Sequence, residues 1–415
     1  MRGVRVWARV LGVEGAVVED VRLEAHKGED VLVVTVRSGW RQRGRCGLCR
    51  RRCPGFDQGG GLRRWRALDL GTLRAYVEAA APRVACPEHG VVVAAVPWAR
   101  HDARSTRSFD DTVAWLATHC SKSAVGELLR VAWRTVGRII ARVVDEAEER
   151  SDRLDGLERI GIDEISHRKG HRYLTVVVDH DSGRLVWAAP GRDSATLERF
   201  FDLLGPRRCE QIRLVSADAA GWIRKAVVAR CPKATLCMDP FHVVQWATDA
   251  LDAVRREVWR AARKAGLSGL ADEVKGARFA LWKNPEHLTD RQQQRLAAIQ
   301  QTNAPLYRAY LLKEQLRAAL QRPVHQAMNL LRRWVSWARR CRLAPFVELA
   351  RTIDAHWEQI AASLQHGLSN ARIESTNTKI RLITRRSFGF HSPEAVIALA
   401  MLSLGGLCPP LPGRR

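Results

Sequence analysis

Residues 158–179 read Glu-Arg-Ile-Gly-Ile-Asp-Glu-Ile-Ser-His-Arg-Lys-Gly-His-Arg-Tyr-Leu-Thr-Val-Val-Val-Asp. An apolar run leads into the acidic pair Asp163 and Glu164. Six residues rich in basic side chains follow, His167 to Arg172, and then a β-branched run from Tyr173 to Val178. That is a strand, a turn and a strand. The two carboxylates fall at the end of the first strand, where a sheet holds them rigidly. Two readings are open at this point: a salt-bridged surface turn, or the first ligands of a metal site that handles phosphate.

The α/β pattern continues downstream. A third strand covers Arg184–Ala189, a helix runs from Thr196 to Leu204, and a fourth strand, Gln211–Ala217, ends in Asp218. Gly221–Arg230 reads as a helix and Ala234–Met238 as a fifth strand ending in Asp239. A three-strand meander followed by helix, strand, helix, strand is the order of a ribonuclease-H-like core. Asp163 and Asp218 both fall at carboxyl ends of strands, where α/β sites form. Residues 241–365 are helical by pattern and too long for a loop, so they read as an inserted helical domain. Breaks are expected near Gly266–Gly269, Asn284-Pro285, Asn303–Pro305 and Ala344-Pro345. Tryptophans 246, 259, 282, 334, 337 and 357 lie here among arginines. Such rings stack on bases in some proteins, but helix-packing core is the expectation for most of them.

Beyond the insertion, Ser369 or Asn370 is placed to cap a helix. Within it Glu374, Asn377 and Arg381 share one face by spacing, and Ile373, Ile380 and Ile383 the other, expected against the sheet. With Lys379, Arg385 and Arg386 nearby, that polar face makes a phosphate-handling edge. A short apolar helix after Ser392-Pro393 and a Pro-rich tail follow.

Upstream, residues 1–40 alternate apolar and polar positions and read as two strands of a hairpin. Cys46-Gly-Leu-Cys49 and Cys86-Pro-Glu-His89 bracket two further strand-like runs, Trp65–Leu70 and Leu73–Glu78. Two such pairs supply four soft or imidazole ligands to one zinc ion, so Cys46, Cys49, Cys86 and His89 are the expected set, with Cys53 as a substitute. Buried, unligated cysteines are the alternative. Residues 99–150 turn helical, and two short helices around a tight break read as a helix-turn-helix. Arg134, Arg138 and Arg142 recur every four residues on the second, a face suited to phosphates; a plain helical hairpin is the alternative. The run Asp145–Asp152 reads as a solvated helix end or linker.

Composition narrows the class. The chain has 415 residues, 46% of them hydrophobic, which fits several folded domains rather than a disordered chain. Lys and Arg number 68 against 44 Asp and Glu, a net +24 that favours a polyanion partner, nucleic acid first. The excess is spread along the chain, as in a protein that lies along double-stranded DNA. No apolar run approaches the roughly 20 residues of a membrane span, and no signal peptide is read. A cytoplasmic location without membrane attachment is therefore expected, in which the ten unevenly spaced cysteines favour metal over disulfides.

The expected whole is an α+β multidomain chain: a β-rich zinc ribbon (1–98), a helix-turn-helix (99–150), the first part of the core (151–240), a helical insertion (241–365), completion of the core with the Glu374 helix (366–405) and a tail (406–415). Asp163, Asp218 and Glu374 come from separate elements. Converged, they suit two hard divalent cations, magnesium or manganese, that activate a water or a 3′-hydroxyl for in-line displacement at phosphorus.

Four segments carry a resemblance. Gly161-Ile-Asp-Glu with Arg168-Lys-Gly-His-Arg-Tyr, Asp218-Ala-Ala-Gly-Trp, Asp239-Pro-Phe-His-Val-Val, and the run Leu368-Ser-Asn-Ala-Arg-Ile-Glu-Ser-Thr-Asn-Thr-Lys-Ile-Arg through Phe390 resemble the DDE transposases of bacterial insertion sequences, in the ISL-three-like group. The resemblance covers most of the chain, and its last motif is the most specific. It implies Asp163, Asp218 and Glu374 as the metal-binding catalytic triad. It also implies binding to terminal inverted repeats, strand cleavage leaving a 3′-hydroxyl and transfer of that end into target DNA. A homodimer that synapses two ends, at the bacterial nucleoid, is expected with it. His89 stands where the pattern usually has Cys. Around the triad, Glu164 is expected to pair with a nearby base, Asp239 to cap the helix after it, and His167 and His171 to serve the turn or phosphate. His242 lies close by. Arg168 and Lys169 form a DNA-facing turn, and Asn377, Lys379, Arg381, Arg385 and Arg386 contact DNA. A DNA-binding regulator with an inactive nuclease-like core and a structure-specific nuclease are the rival readings.

Overall fold

Alternating β-branched residues build the N-terminal sheets. The computed structural model describes residues 2–26, 28–168, 170, 172–368, 371–387 and 389–414, with side chains from residue 6 onward. Lys169, His171 and the cap positions Ser369 and Asn370 lie outside the described residues. Seven strands come first: β1 (Ala16–His26), β2 (Glu29–Ser38), β3 (Gly55–Asp57), β4 (Leu62–Arg66), β5 (Arg74–Ala80), β6 (Arg83–Cys86) and β7 (Gly90–Val93). β1 and β2 form the expected antiparallel hairpin, and one sheet runs β1-β2-β5-β4 while a second runs β3-β6-β7. Residues Arg2–Val10 are helical, not part of an alternating run. The reason is packing: Trp7, Ala8 and Leu11, at helical spacing, close over the β-sheet core formed by Val34, Val36, Val77 and Trp98.

Three helices follow in the same compact unit, which comprises residues 1–153 and 380–415. They are Arg107–His119, Lys122–Leu128 and Trp133–Arg150. Thr106 and Ser121 cap the first two with side-chain oxygens that accept from the backbone N–H three residues on. The helix Pro393–Leu404 packs on Trp133–Arg150 and on Arg107–His119. It is apolar on nearly every side, with Val396, Leu399, Ala400, Met401 and Leu402 buried, so it needs cover on more than one face.

The second unit comprises residues 154–379. Its strands are β8 (Arg159–Arg168), β9 (Arg172–Asp179), β10 (Leu185–Pro190), β11 (Leu214–Ala217) and β12 (Thr235–Met238). They form one sheet in the order β10-β9-β8-β11-β12. β9 is antiparallel to both its neighbours, whereas β8, β11 and β12 run parallel. Helices Ser194–Leu204 and Gly221–Arg230 cover the sheet through Leu197, Phe200, Phe201, Ile223 and Val227. From Pro240 to His366 the chain is helical, with breaks at or beside the four expected places and further ones at Ala277, at 321–323 and at His356. The six tryptophans of this region all belong to or pack on one core with Leu251, Leu316 and Phe346.

One side chain ties three strands. His180, just after β9, reaches across β8 at Gly161, and its Nε2 meets Ser216 Oγ on β11 at 2.7 Å. Both residues are buried. Burial, reinforced by the charges of Arg372 and Arg159, pushes the His180 imidazole down to about 4. The native state therefore keeps the ring neutral, while the unfolded chain protonates it near an ordinary ~6.5. The unfolded state then binds the extra proton as pH falls from that value toward the native one, so stability declines across the window. Denaturant unfolding should show the wild-type protein losing about 2 kcal/mol more than His180→Asn between pH ~7 and ~5. Equal losses in the two proteins would rule the coupling out.

Candidate active site and metal centre

The register of the parallel strands sets the geometry. Ser216 on β11 pairs with Gly161 on β8, so two residues further along each strand Asp218 and Asp163 stand level. Ala217 pairs with Met238 on β12, and the next step brings Asp218 level with Asp239. Three aspartates thus occupy one edge of the sheet. β8 itself runs on to Arg168, so Asp163 lies within its strand and not at the end of it. What ends is the pairing with β11, and that uncovers the edge.

The helix Ala371–Arg386 lies on this edge through three contacts. Arg372 donates to the carbonyls of His180 and Asp181. Ile373 seats over Gly161, where a built Cβ would meet Ile373 Cδ1 at 2.1 Å and His180 Nε2 at 2.9 Å. Asn377 Nδ2 donates to Asp163 Oδ2 at 2.7 Å. Glu374, between these contacts, is exposed. Asp163 Oδ1 accepts from the backbone N–H of Glu164 at 2.7 Å, and Asp218 Oδ1 accepts from Ala220 N at 3.0 Å. Burial pushes the Asp163 carboxyl up and the Asp218 charge adds to it, against the opposing pull of the Glu164 N–H, His242 and Asn377. Glu164 is raised as well, by burial and by Asp218. Its Oε1 accepts from Trp222 Nε1 at 3.1 Å, with Arg192 at 3.9 Å. Asp239 caps the following helix by accepting from Phe241 N at 3.2 Å. Its second oxygen, and Oδ1 of Asn377, are buried without a hydrogen-bond partner among the described residues.

A second cluster lies in the N-terminal unit. The ligand atoms of Cys46, Cys49, Cys86 and His89 all fall within 4.8 Å of one another. Cys49 Sγ and Cys86 Sγ are 3.7 Å apart, Cys46 Sγ and His89 Nδ1 3.9 Å, and Cys86 Sγ and His89 Nδ1 3.5 Å. A tetrahedron with Zn–S bonds of ~2.3 Å has edges of about 3.8 Å, so the set fits zinc. The neighbouring His89 draws the Cys86 thiol down to about 6, toward the thiolate a metal takes. Cys53 is not one of the four, although it packs in the same buried cluster as Cys46 and Cys86; its Sγ is directed at the Arg51 carbonyl. Among the described residues no other group of three or more such donors is gathered as closely, the Asp163, Asp218 and Glu374 carboxylates included.

Residues 160–400 match the DDE-domain model of the ISL3 transposases, described as "Transposase". The chain belongs to the ISL3 transposase family. Residues 94–144 of this transposase match the helix-turn-helix domain of transposase family ISL3, and residues 42–89 match the zinc-finger of transposase IS204/IS1001/IS1096/IS1165. It is 55% identical to the transposase for insertion sequence element IS1557 of Mycobacterium tuberculosis, over 100% of this chain and 98% of that protein. It is 27% identical to the transposase for insertion sequence element IS1001 of Bordetella parapertussis, over 84% of this chain and 86% of that one.

The structure redistributes some of the basic and polar residues of this transposase. Asn377 is 3% exposed and bonded to Asp163, so it does not share an outer face with Glu374 and Arg381. Its i, i+4, i+7 partners are Ile373 and Ile380, the buried stripe. Arg142 turns toward the buried Asp110, at 3.3 Å, instead of continuing the exposed row of Arg134 and Arg138. It joins a network in which Arg100, 7% exposed, meets Asp111 and Glu146 at 2.6 Å each. Burial works against the Glu146 charge, but Arg107 and Arg100 overcome it and hold the carboxyl at about 2. Arg386 is half-buried and donates to the Ala117 carbonyl, while Arg168, Lys379, Arg381 and Arg385 are exposed. Arg372 and Gly161 stand inside two of the quoted motifs, but spacing alone assigns neither of them its role in seating the helix.

Gly161→Ala should force Ile373 and His180 apart and cost about 1–3 kcal/mol, measured as a lower urea midpoint; an unchanged midpoint would show that the helix is not seated there. Metal analysis of the purified protein should find zinc bound at one ion per chain, and Cys86→Ser should lose most of it. Retention of full zinc content in that variant would refute the assignment.

Proposed function

We propose that this transposase binds the terminal inverted repeats of its insertion sequence as double-stranded DNA, cleaves a strand to leave a 3′-hydroxyl and transfers that end into target DNA. The observation that carries the reading is the shared register of Asp163 and Asp218, with the Glu374 helix tied to Asp163 through Asn377. The sheet order β10-β9-β8-β11-β12 supports a ribonuclease-H-like core, and the exposed Arg134 and Arg138 support phosphate contacts by the helix-turn-helix. Among described residues, no helix is long and apolar enough to cross a membrane. A homodimer acting at the cytoplasmic nucleoid completes the proposal.

Asp163, Asp218 and Glu374 would hold magnesium or manganese. The donors fit a hard cation: all are oxygens, and the buried Asp239 Oδ2 and Asn377 Oδ1 have no hydrogen-bond partner among the described residues. The Asp163 and Glu164 carboxyls are both raised by burial and by Asp218, a repulsion that a bound cation would relieve. When bound, such ions activate an oxygen nucleophile and stabilise the leaving oxygen. The protein's own part is to hold Asp163 in one orientation, through the Glu164 N–H on one oxygen and Asn377 on the other. It also keeps Asp218 at the same level and lays Glu374 over the edge by anchoring Arg372 and Ile373. Arg168, Lys379, Arg381 and Arg385 draw in the DNA phosphates.

Asp163→Asn, Asp218→Asn and Glu374→Gln should each lower strand transfer by at least about 10³-fold while end binding, followed by gel shift, persists. A protein that binds but neither cuts nor joins would be a regulator, and one that cuts without joining a nuclease. Asp218→Asn with wild-type joining would remove Asp218 from the triad.

A further inference from the structure

The helical insertion carries a charged cleft that neither the triad nor the helix-turn-helix accounts for. It has a volume of about 490 Å³ and lies between the helices Val324–Arg340 and Trp357–His366, with Asp354 on its rim. Val335 and Trp357 form its floor, and both pack on the helical core. Arg332, Arg339 and Arg340 form its wall. Three guanidinium groups thus face a single carboxylate.

The three are not equivalent. Arg339 pairs with Asp354. Arg340 is tied back to Ser336, Nε to its carbonyl at 3.1 Å and a terminal nitrogen to its hydroxyl at 3.0 Å. Both sit in the last helical turn, where a cation also answers the helix dipole, so each has a structural role. Arg332 sits mid-helix, exposed, and makes no hydrogen bond or ion pair among the described residues. Its guanidinium is held 5.7 Å from the centre of the Trp357 ring. The ring packs near the guanidinium, whose N–H groups have no hydrogen-bond partner among the described residues. Trp357 is also partly taken up by the helical core, so the free polar groups of the cleft are donors. Arg332 and Arg339 are seven residues apart, about 10 Å along one helix face.

We propose that this cleft binds the phosphodiester backbone of duplex DNA, with Arg332 as its principal donor and with no preference for base sequence. An unpaired guanidinium suits the paired oxygens of a phosphate, a contact that carries no sequence information. Asp354 then acts as a competitor that holds Arg339 away from the DNA. The proposal rests on the reading that DNA is this protein's partner.

The test uses the full-length protein and a fluorescent duplex of arbitrary sequence, with anisotropy read across a salt series. Arg332→Ala should weaken binding and reduce the slope of log K against log salt by about 1. Arg332→Lys should keep the wild-type slope, because the charge is retained. Asp354→Asn should tighten binding by freeing Arg339, although it removes an ion pair. Wild-type affinity and slope in Arg332→Ala, or weaker binding in Asp354→Asn, would overturn the proposal even if Arg332→Ala melts at a lower temperature. A wild-type protein that binds no duplex at all would instead overturn the DNA reading, and this proposal with it.

Discussion

The side chain missing at Gly161 sets the layout of the catalytic unit. Because that position holds no Cβ, His180 can cross β8 to Ser216 from one side and Ile373 can settle on the strand from above. The helix Ala371–Arg386 is thereby fixed two residues from Asp163, close enough for Asn377 to bond the carboxylate. Interiors pack densely and transmit displacement, so a shift of a few tenths of an ångström at Gly161 would reach Glu374 directly. The acidic edge of the sheet and the helix laid over it are in this sense one construction, and its smallest residue governs it.

Much of that construction was legible in the sequence because its signals are local. Short apolar runs with an aspartate in or just after them marked β8, β9, β11 and β12, although β8 continues past its aspartate to Arg168, and paired CxxC-type spacing marked the Cys46, Cys49, Cys86 and His89 set. Gly, Asn and Pro marked the breaks among the later helices. What was illegible depends on partners far away in the chain. Asn377 reads as one of several polar residues on a helix, and only Asp163, 214 residues earlier, makes it a buried bracket. Arg142 continues a row with Arg134 and Arg138 by spacing, yet Asp110 draws it inward. Period alone cannot tell which side of a helix will meet a buried carboxylate. The N-terminal helix was missed for a related reason: Val4, Val6, Ala8 and Val10 alternate like a strand, but Trp7, Ala8 and Leu11 close over the neighbouring sheet.

The charge of +24 is also less uniform in the fold than in the sequence. Several arginines act as internal struts. Arg100 and Arg107 hold Glu146, and Arg22 and Arg64 hold the buried Glu78. Lys313, 1% exposed at its side chain, even donates to the carbonyls of Leu281 and Trp282 at the end of a short helix. The charge available to a polyanion is what remains once these struts are set aside, and it is concentrated on particular helix faces. A buried pair of this kind contributes shape more dependably than stability.

The placement of Pro393–Leu404 on the helices Arg107–His119 and Trp133–Arg150 has a consequence for synthesis. Domains generally fold as units while the chain emerges from the ribosome, N-terminal first. Here the N-terminal unit cannot cover those helices until Pro393–Leu404 has been made, more than 240 residues after Arg150, and Glu374 arrives only about twenty residues before that covering helix. A transcript or chain cut short anywhere in the insertion would therefore yield a product that lacks both Glu374 and the cover of its own helix-turn-helix.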